Sequence, residues 1–462
     1  MPKIMPKIGL EIHGYLTTKE KLFCLCPTNY KTAIANTNIC PICTGMPGSK
    51  PMLPNSEAMD KVIAISLMLG CKVNNKFMWQ RKHYNWPDMP KGYQNTISGA
   101  YSIPVAEHGN FLGIGITEAH LEEDPAKWDP VSGNVDYNRS GMPLIEIVTD
   151  PGFLSADQVA EWLNNLLLTL SYIKAVDPDA GIKADVNVSV SMGKRQGNRV
   201  EVKNLNSIDS IKKAIDYEIK RQSRLLEEDK RIVKETRTYS DEQGITISMR
   251  SKEEAADYRF IPDPDLPTME INKKRIEDIK KKLPELPHKK VERFIKEYKL
   301  DDYTASILTS NIDIANFFEK IIEKIKNVKL VSTWVTIELL RILNYNKKSL
   351  HEVYVNPEHF VKLLNMIESK KITELAAKRM LNDFIPSSFD PSQMKEFEKI
   401  EDKSEIDKIC KEVIEKNPAA VSDYKKGEKK SLNFLIGEVV KASGRRADSR
   451  SVVPILIKLL KK

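Results

Sequence analysis

The stretch "GITEAHLEEDPAKW", residues 115–128, gathers Glu118, His120, Glu122, Glu123 and Asp124 in a chain whose formal charge is +8. Carboxylates at this density repel one another, and a cation relieves the repulsion. In an extended segment Glu118, His120 and Glu122 turn to one side, as Glu11 and His13 do in "IGLEIHGYL". Glu146 of "LIEIV" and Asp185 of "KADVNVSV" stand on two further strand-like segments. If these strands are neighbours, their outward side chains form one acidic face. Oxygen ligands suit Mg²⁺, and a histidine in the set leaves Mn²⁺ or Zn²⁺ open. The alternative is an ordinary solvent face, but such faces usually mix Lys, Thr and Gln with their acids. Residues 111–150 hold eight acids against only Lys127 and Arg139.

Carboxylate-bound Mg²⁺ on a concave sheet usually serves phosphate chemistry. No Walker A sequence is present to hold phosphates. Cations are available instead as Lys82 and Lys91 in "WQRKHYNWPDMPKGYQ", Arg139 in "YNRSG" and Lys203 in "EVKNLNS". Each either binds phosphate or an acyl phosphate, or is an ordinary surface cation.

A second chemistry lies in "CLCPTNYKTAIANTNICPIC", where Cys24, Cys26, Cys40 and Cys43 follow the spacing C-x-C-x13-C-x2-C. Two close thiol pairs joined by a short loop supply four ligands to tetrahedral zinc, and with no position left open such a site is structural. The alternative is a set of reduced buried thiols. Cys71 and Cys410 are isolated, and no chemistry is expected of them.

The elements that must position these groups read as follows. "IGLEIHGYL", "IKADVNVSVSM", "RVEVKNL" and "LIEIV" are strands with one apolar side, the pattern of an antiparallel sheet packed on one face. "SADQVAEWLNNLLLTLSYIKAV" (155–176) is a helix with Ser155 as its N-cap. The mixture predicts an α+β fold. After "IPDPDLP" (261–267) the pattern turns helical, and the last stretch reads as three helices separated by Pro418 and the Gly444 loop. The expected units are an α+β body over 1–285, a helical middle over 286–395 and a small helical tail over 396–462.

The 462 residues, 41% hydrophobic and 29% charged, describe a folded protein of several domains rather than a disordered one. No apolar run approaches the roughly 20 residues that cross a bilayer. The start, "MPKIMPKIGLEIHGYL", lacks the features of a signal peptide, so a cytoplasmic protein without membrane association is expected. MPKI occurs twice there, leaving Met1 and Met5 both open as initiator. Residues 421–462 carry eleven Lys and Arg against four acids, so nearly all of the net charge sits at this end. A basic end suits a polyanion partner, and a solubilising tail is the other reading.

"IGLEIH", "CPICTGMPG", "RKHYNWPDMPKGYQ", "ITEAHLEED", "DYNRSGMPLIEIVTDP", "KADVNVSV", "EVKNLNS", "ETRTY", "MRSKEEAADYRFIPDPDLP" and "GEVVKASGRRAD" together resemble, in order, the motifs of the GatB family of aspartyl/glutamyl-tRNA amidotransferase subunits. The resemblance implies a GatCAB assembly with GatA and GatC that converts misacylated Glu-tRNA(Gln) or Asp-tRNA(Asn) to the amide form. GatA releases ammonia from glutamine, and ATP phosphorylates the tRNA-linked side-chain carboxylate before ammonia displaces phosphate. It also implies a cradle body similar to the glutamine synthetase catalytic fold, with Glu11, His13, Glu122 and Glu146 as Mg²⁺ ligands. Glu123 and Lys91 correspond to the pair at the ammonia channel exit, and Asp185 to an essential acid. Cys24, Cys26, Cys40 and Cys43 resemble the family's zinc knuckle. Gly437, Lys441, Arg445 and Arg446 resemble its YqeY-like tail, which grips tRNA.

Trp79, His83, Asn85 and Trp86 stand where relatives often carry Phe, Asn, Phe and Tyr, which implies an acceptor-end pocket of different shape. The large insertion of the related GatE protein is missing. Choice between Asp and Glu is not legible. The competing reading is a tRNA-binding zinc scaffold without chemistry, for which an acidic patch would be a handicap. A stand-alone glutamine synthetase-like ligase would not need the basic tail.

Overall fold

The computed structural model describes residues 4–178, 181, 183–251 and 259–461. Ile182, Lys462 and residues 252–258 of the "MRSKEEAADYRF" motif lie outside them. The chain divides into two compact units, Met1–His288 and Lys289–Lys462.

A large sheet organises the first unit. Its principal strands are β1 (Ile4–Tyr15), β2 (Gln80–His83), β3 (Tyr93–Thr96), β4 (Ala106–Phe111), β5 (Ile114–Glu123), β6 (Pro143–Thr149), β7 (Lys183–Met192), β8 (Val200–Leu205), β9 (Glu235–Ser240), β10 (Ile245–Ser251) and β11 (Arg259–Pro262). They lie side by side in the order β10-β9-β8-β7-β1-β6-β5-β3-β2-β11, and β4 also pairs with β5. The alternation read in the sequence is realised: Ile8, Leu10 and Ile12 of β1 and Val186 and Val188 of β7 are fully buried on one face. Each such side chain contributes about 2 kcal/mol by leaving water.

Helices α1 (Ser56–Met68), α2 (Ala156–Tyr172) and α3 (Ile208–Glu227) supply the other half of this core through Val62 and Ile63, Trp162 and Leu166, and Ile211 and Ile215. Ser155 caps α2 by accepting from Gln158 N at 3.2 Å. The helix ends at Tyr172, short of the expected 176, where Lys174 enters the left-handed region at φ +49°.

The sheet is mixed rather than wholly antiparallel, which corrects the sequence expectation. β8 and β9 run parallel because α3 connects them as a crossover, the connection parallel neighbours require. In the second unit one helical core runs from Phe294 to Phe397 and another from Ile400 to Leu460. Among the described residues the tail holds four helices where three are expected: Lys403–Lys416, Pro418–Lys425, Lys429–Ala442 and Ser449–Leu460. Pro418 opens a helix at its first position, where a missing N–H does no harm. The break that the sequence pattern does not announce is Gly427, at φ +100°.

Candidate active site

Register alone assembles the acidic face. Glu11 lies opposite Asp185 across β1 and β7, and His13 opposite Glu146 across β1 and β6. Glu146 is in turn opposite His120 across β6 and β5, and Glu201 opposite Asn187 across β8 and β7. Directly opposed residues, and those two apart on a strand, share a face. Glu201, Asp185, Glu11, His13, Glu146, His120 and Glu122 therefore line one face of five adjacent strands. This is the face away from the helices.

The ligand atoms of His13, Glu122 and Glu146 lie within 4.8 Å of one another, as do those of Glu11, Asp185 and Glu201. The set expected to bind one ion is thus divided, with Glu11 in the second group. Glu201 is absent from the expected set, although its outward place in "RVEVKNL" is readable. His120 is expected on the acidic face but without a part of its own. Its Nε2 is 3.0 Å from Glu146 and 3.6 Å from Glu122, and its Nδ1 3.4 Å from Glu118.

The site is more enclosed than the sequence implies. His120 is 0% exposed, and Glu122 and Glu123 are 6% exposed each, because both sides of the end of β5 are covered. Burial opposes charge, but Glu146 and Glu122 push His120 up to about 10. Burial likewise works against His13, and its bond to Glu146 raises it to about 8. Glu146 resists its own burial because His120 and His13 hold its carboxyl well below the usual range. Glu11 has no such partner, so burial and the Glu146 charge raise it. Asn187 Nδ2 donates to Glu11 at 3.0 Å, and the buried Asn187 Oδ1 has no hydrogen-bond partner among the described residues. Two carboxylates and an imidazole converging in a low-dielectric pocket fit a divalent cation, Mg²⁺ or one that takes a nitrogen ligand.

Lys203 lies 2.5 Å from Asp185 and 3.1 Å from Glu201, which raises its pKa against the opposing effect of burial. Lys82 stands opposite Gln94, whose amide donates to Glu122 at 3.2 Å. Arg139 is engaged by Asp124 at 3.0 Å and by the carbonyls of Pro125 and Ala126. Glu123 is paired with Lys91 and accepts from Asn95 N at 3.0 Å. Lys91 Nζ sits 5.0 Å from the Tyr93 ring centroid, and Arg81 stacks on the same ring at 4.2 Å.

Trp79 lies in the core, 0% exposed and packed edge-on against Phe23. His83 lies against Tyr93, while Asn85 is exposed and exposed Trp86 lies against Trp128. The sulfurs of Cys24, Cys26, Cys40 and Cys43 converge within 4.8 Å, which fits a structural zinc site. Cys71 and Cys410 are buried singly. In the tail Lys441 and Arg445 are exposed, whereas Arg446 Nε donates to Glu398 O at 2.9 Å. Gly437 lies within the Lys429–Ala442 helix. Among the described residues no helix is long and apolar enough to cross a membrane.

The family model described as the GatB/GatE catalytic domain matches residues 6–277, and that described as the GatB domain matches residues 316–460. A curated relative from Methanococcus maripaludis strain C5 is 44% identical, covering 98% of this chain and 98% of its own. One from Methanocaldococcus jannaschii is 42% identical over 100% and 99%, and one from Methanobrevibacter smithii 44% over 97% and 98%. All three are named as the B component of aspartyl/glutamyl-tRNA(Asn/Gln) amidotransferase.

Proposed function

The chain belongs to the GatB family, and from that premise we propose that it is the GatB component of a cytoplasmic tRNA-dependent amidotransferase acting with GatA and GatC. Its substrates are Glu-tRNA(Gln), Asp-tRNA(Asn) or both. The observation that carries the chemical reading is the enclosed acidic face on which His13, Glu122 and Glu146 converge.

A carboxylate is a poor electrophile because its leaving group would be oxide. Transfer of the ATP γ-phosphoryl group to one carboxylate oxygen gives an acyl phosphate and ADP. Ammonia then attacks the carbonyl carbon, and phosphate departs carrying that oxygen. His13, Glu122 and Glu146 would hold Mg²⁺, with Glu11 and Asp185 beside them. The ion would neutralise phosphate charge when bound. Lys82 would bind phosphate, as would Lys203 from its place between Asp185 and Glu201, and Arg139, held by Asp124, would act through its loop. Glu123, paired with Lys91, would take a proton from incoming ammonium.

The division into cradle (1–285), helical domain (286–395) and YqeY-like tail (396–462), and the likeness of the cradle to the glutamine synthetase catalytic fold, belong to the same reading. So does contact of tRNA with Lys441, Arg445 and Arg446. The test is a transamidation assay of the assembled complex, offering both misacylated tRNAs with ATP and Mg²⁺. Amide formation that requires ATP supports the reading; tight tRNA binding without ATP consumption favours a scaffold.

A further inference from the structure

We propose that the cysteine knuckle positions the catalytic face, with Lys21 as the positioning residue that ties metal to loop. For the importance of the segments positioned, the proposal rests on the reading above. Lys21 is 1% exposed, a rare place for an ammonium. Its Nζ donates to the carbonyls of Asn38 at 2.9 Å and Tyr137 at 3.2 Å, and to Cys43 Sγ at 3.5 Å. None of these acceptors is a carboxylate. A buried cation needs counter-charge, and the sulfur supplies it once it is a thiolate. Metal binding deprotonates thiols, and four thiolates on one divalent ion leave excess negative charge that the ammonium offsets.

The Tyr137 carbonyl held by Lys21 belongs to a loop that the knuckle grips along its length. Asn38 N donates to Asn138 Oδ1 at 2.8 Å, Asn138 Nδ2 to Ile34 O at 2.7 Å, and Ser140 Oγ to Cys43 O at 2.7 Å. Leu22 N donates to Gly141 O at 2.9 Å. Asn138 and Ser140 are both buried. On its other side this loop holds Asp124, the residue after Glu123, through Arg139 at 3.0 Å and Gly141 N at 2.9 Å. It then runs into β6, which carries Glu146. The knuckle also packs on the Lys91 segment. Gly45 sits at φ +67°, and a Cβ there would lie 2.7 Å from Pro90 O and 2.9 Å from Lys91 Cγ. One small metal site thus abuts both segments that frame the acids.

Hydrogen exchange of the full chain, loaded with Zn²⁺ and after chelation, tests the coupling. The expected result is faster exchange at residues 20–45 together with 89–92 and 137–142, while the β7 amides stay protected. A response confined to 20–45 would overturn the proposal. For Lys21→Met at saturating Zn²⁺, release of zinc to a chromophoric chelator should quicken by about tenfold or more. Exchange at 89–92 and 137–142 should rise with metal still bound. In the assembled complex kcat for amidation should fall while KM for ATP holds. Wild-type release and exchange would overturn the role of Lys21. Ser140→Ala alters the coupling without removing a charge: faster exchange at 137–142 supports it, and unchanged exchange counts against it. Zinc release and hydrogen exchange need no catalysis, so failure here is distinguishable from failure of the amidotransferase reading.

Discussion

His120 Nε2 stands 3.0 Å from Glu146 Oε2, deep beneath the acidic face and shielded from solvent. Glu118, Glu122 and Glu146 each approach the His120 ring within 3.6 Å, and the charges of Glu146 and Glu122 favour its protonated form against burial. His120→Gln keeps the volume but removes the charge and leaves buried carboxylates uncompensated. We expect a loss of about 3 kcal/mol in denaturant unfolding near neutral pH. A loss below about 1 kcal/mol would mean that the pairing contributes little.

Glu123 and Lys91 form a nearly buried pair on the segment the knuckle supports. Glu123→Gln should lower amide formation by about a hundredfold while ATP consumption dependent on misacylated tRNA continues. Equal loss of both would show that Glu123 serves phosphorylation instead.

Glu218 is fully buried on α3, bound bidentately by Arg221 at 2.9 Å and approached by Arg237 at 3.3 Å. Burial raises its pKa, but Arg221, Gln222 and Thr246 more than reverse this, and the net shift is downward. A folded pKa below the unfolded one gives stability that is present above the ordinary value of about 4.3 and lost as pH falls through the folded value. Glu218→Gln should therefore cost about 3 kcal/mol at pH 7, and the gap to wild type should close as pH drops below about 4. A gap independent of pH would exclude the carboxylate as its source.

In the tail Lys441 and Arg445 are exposed, but Arg446 holds the Glu398 carbonyl. Lys441→Ala and Arg445→Ala should each weaken tRNA binding and reduce the salt slope by about one. Arg446→Ala should lower tail stability as well. If all three act alike on binding alone, the structural part of Arg446 is wrong.

Much of the site is legible in the sequence because strand alternation fixes faces: Glu11, His13, Glu146 and Asp185 fall where period two puts them. The sequence does not reveal which strands are neighbours, so the division of the ligands and the recruitment of Glu201 emerge only from register. Nor does alternation report burial on both faces, which hides the enclosure of His120, Glu122 and Glu123. The parallel β8–β9 pair is hidden for a related reason, since a strand's own pattern does not tell the direction of its partner. Pro418 marks a break as expected, one helix ending before it and the next opening on it, whereas the break at Gly427 goes unread because a lone glycine among lysines does not by itself end a helical pattern.

The proposed chemistry activates a side-chain carboxylate of the tRNA-linked amino acid on the face formed by Glu122 and Glu146. Its most direct measurement follows isotope in the assembled complex, using Glu-tRNA(Gln) or Asp-tRNA(Asn) labelled with heavy oxygen in that carboxylate. Heavy oxygen should appear in the released phosphate for the wild type, and Glu146→Gln should abolish the transfer with tRNA binding intact. Amide formed without label in phosphate, or full transfer by the Glu146→Gln variant, would contradict the account.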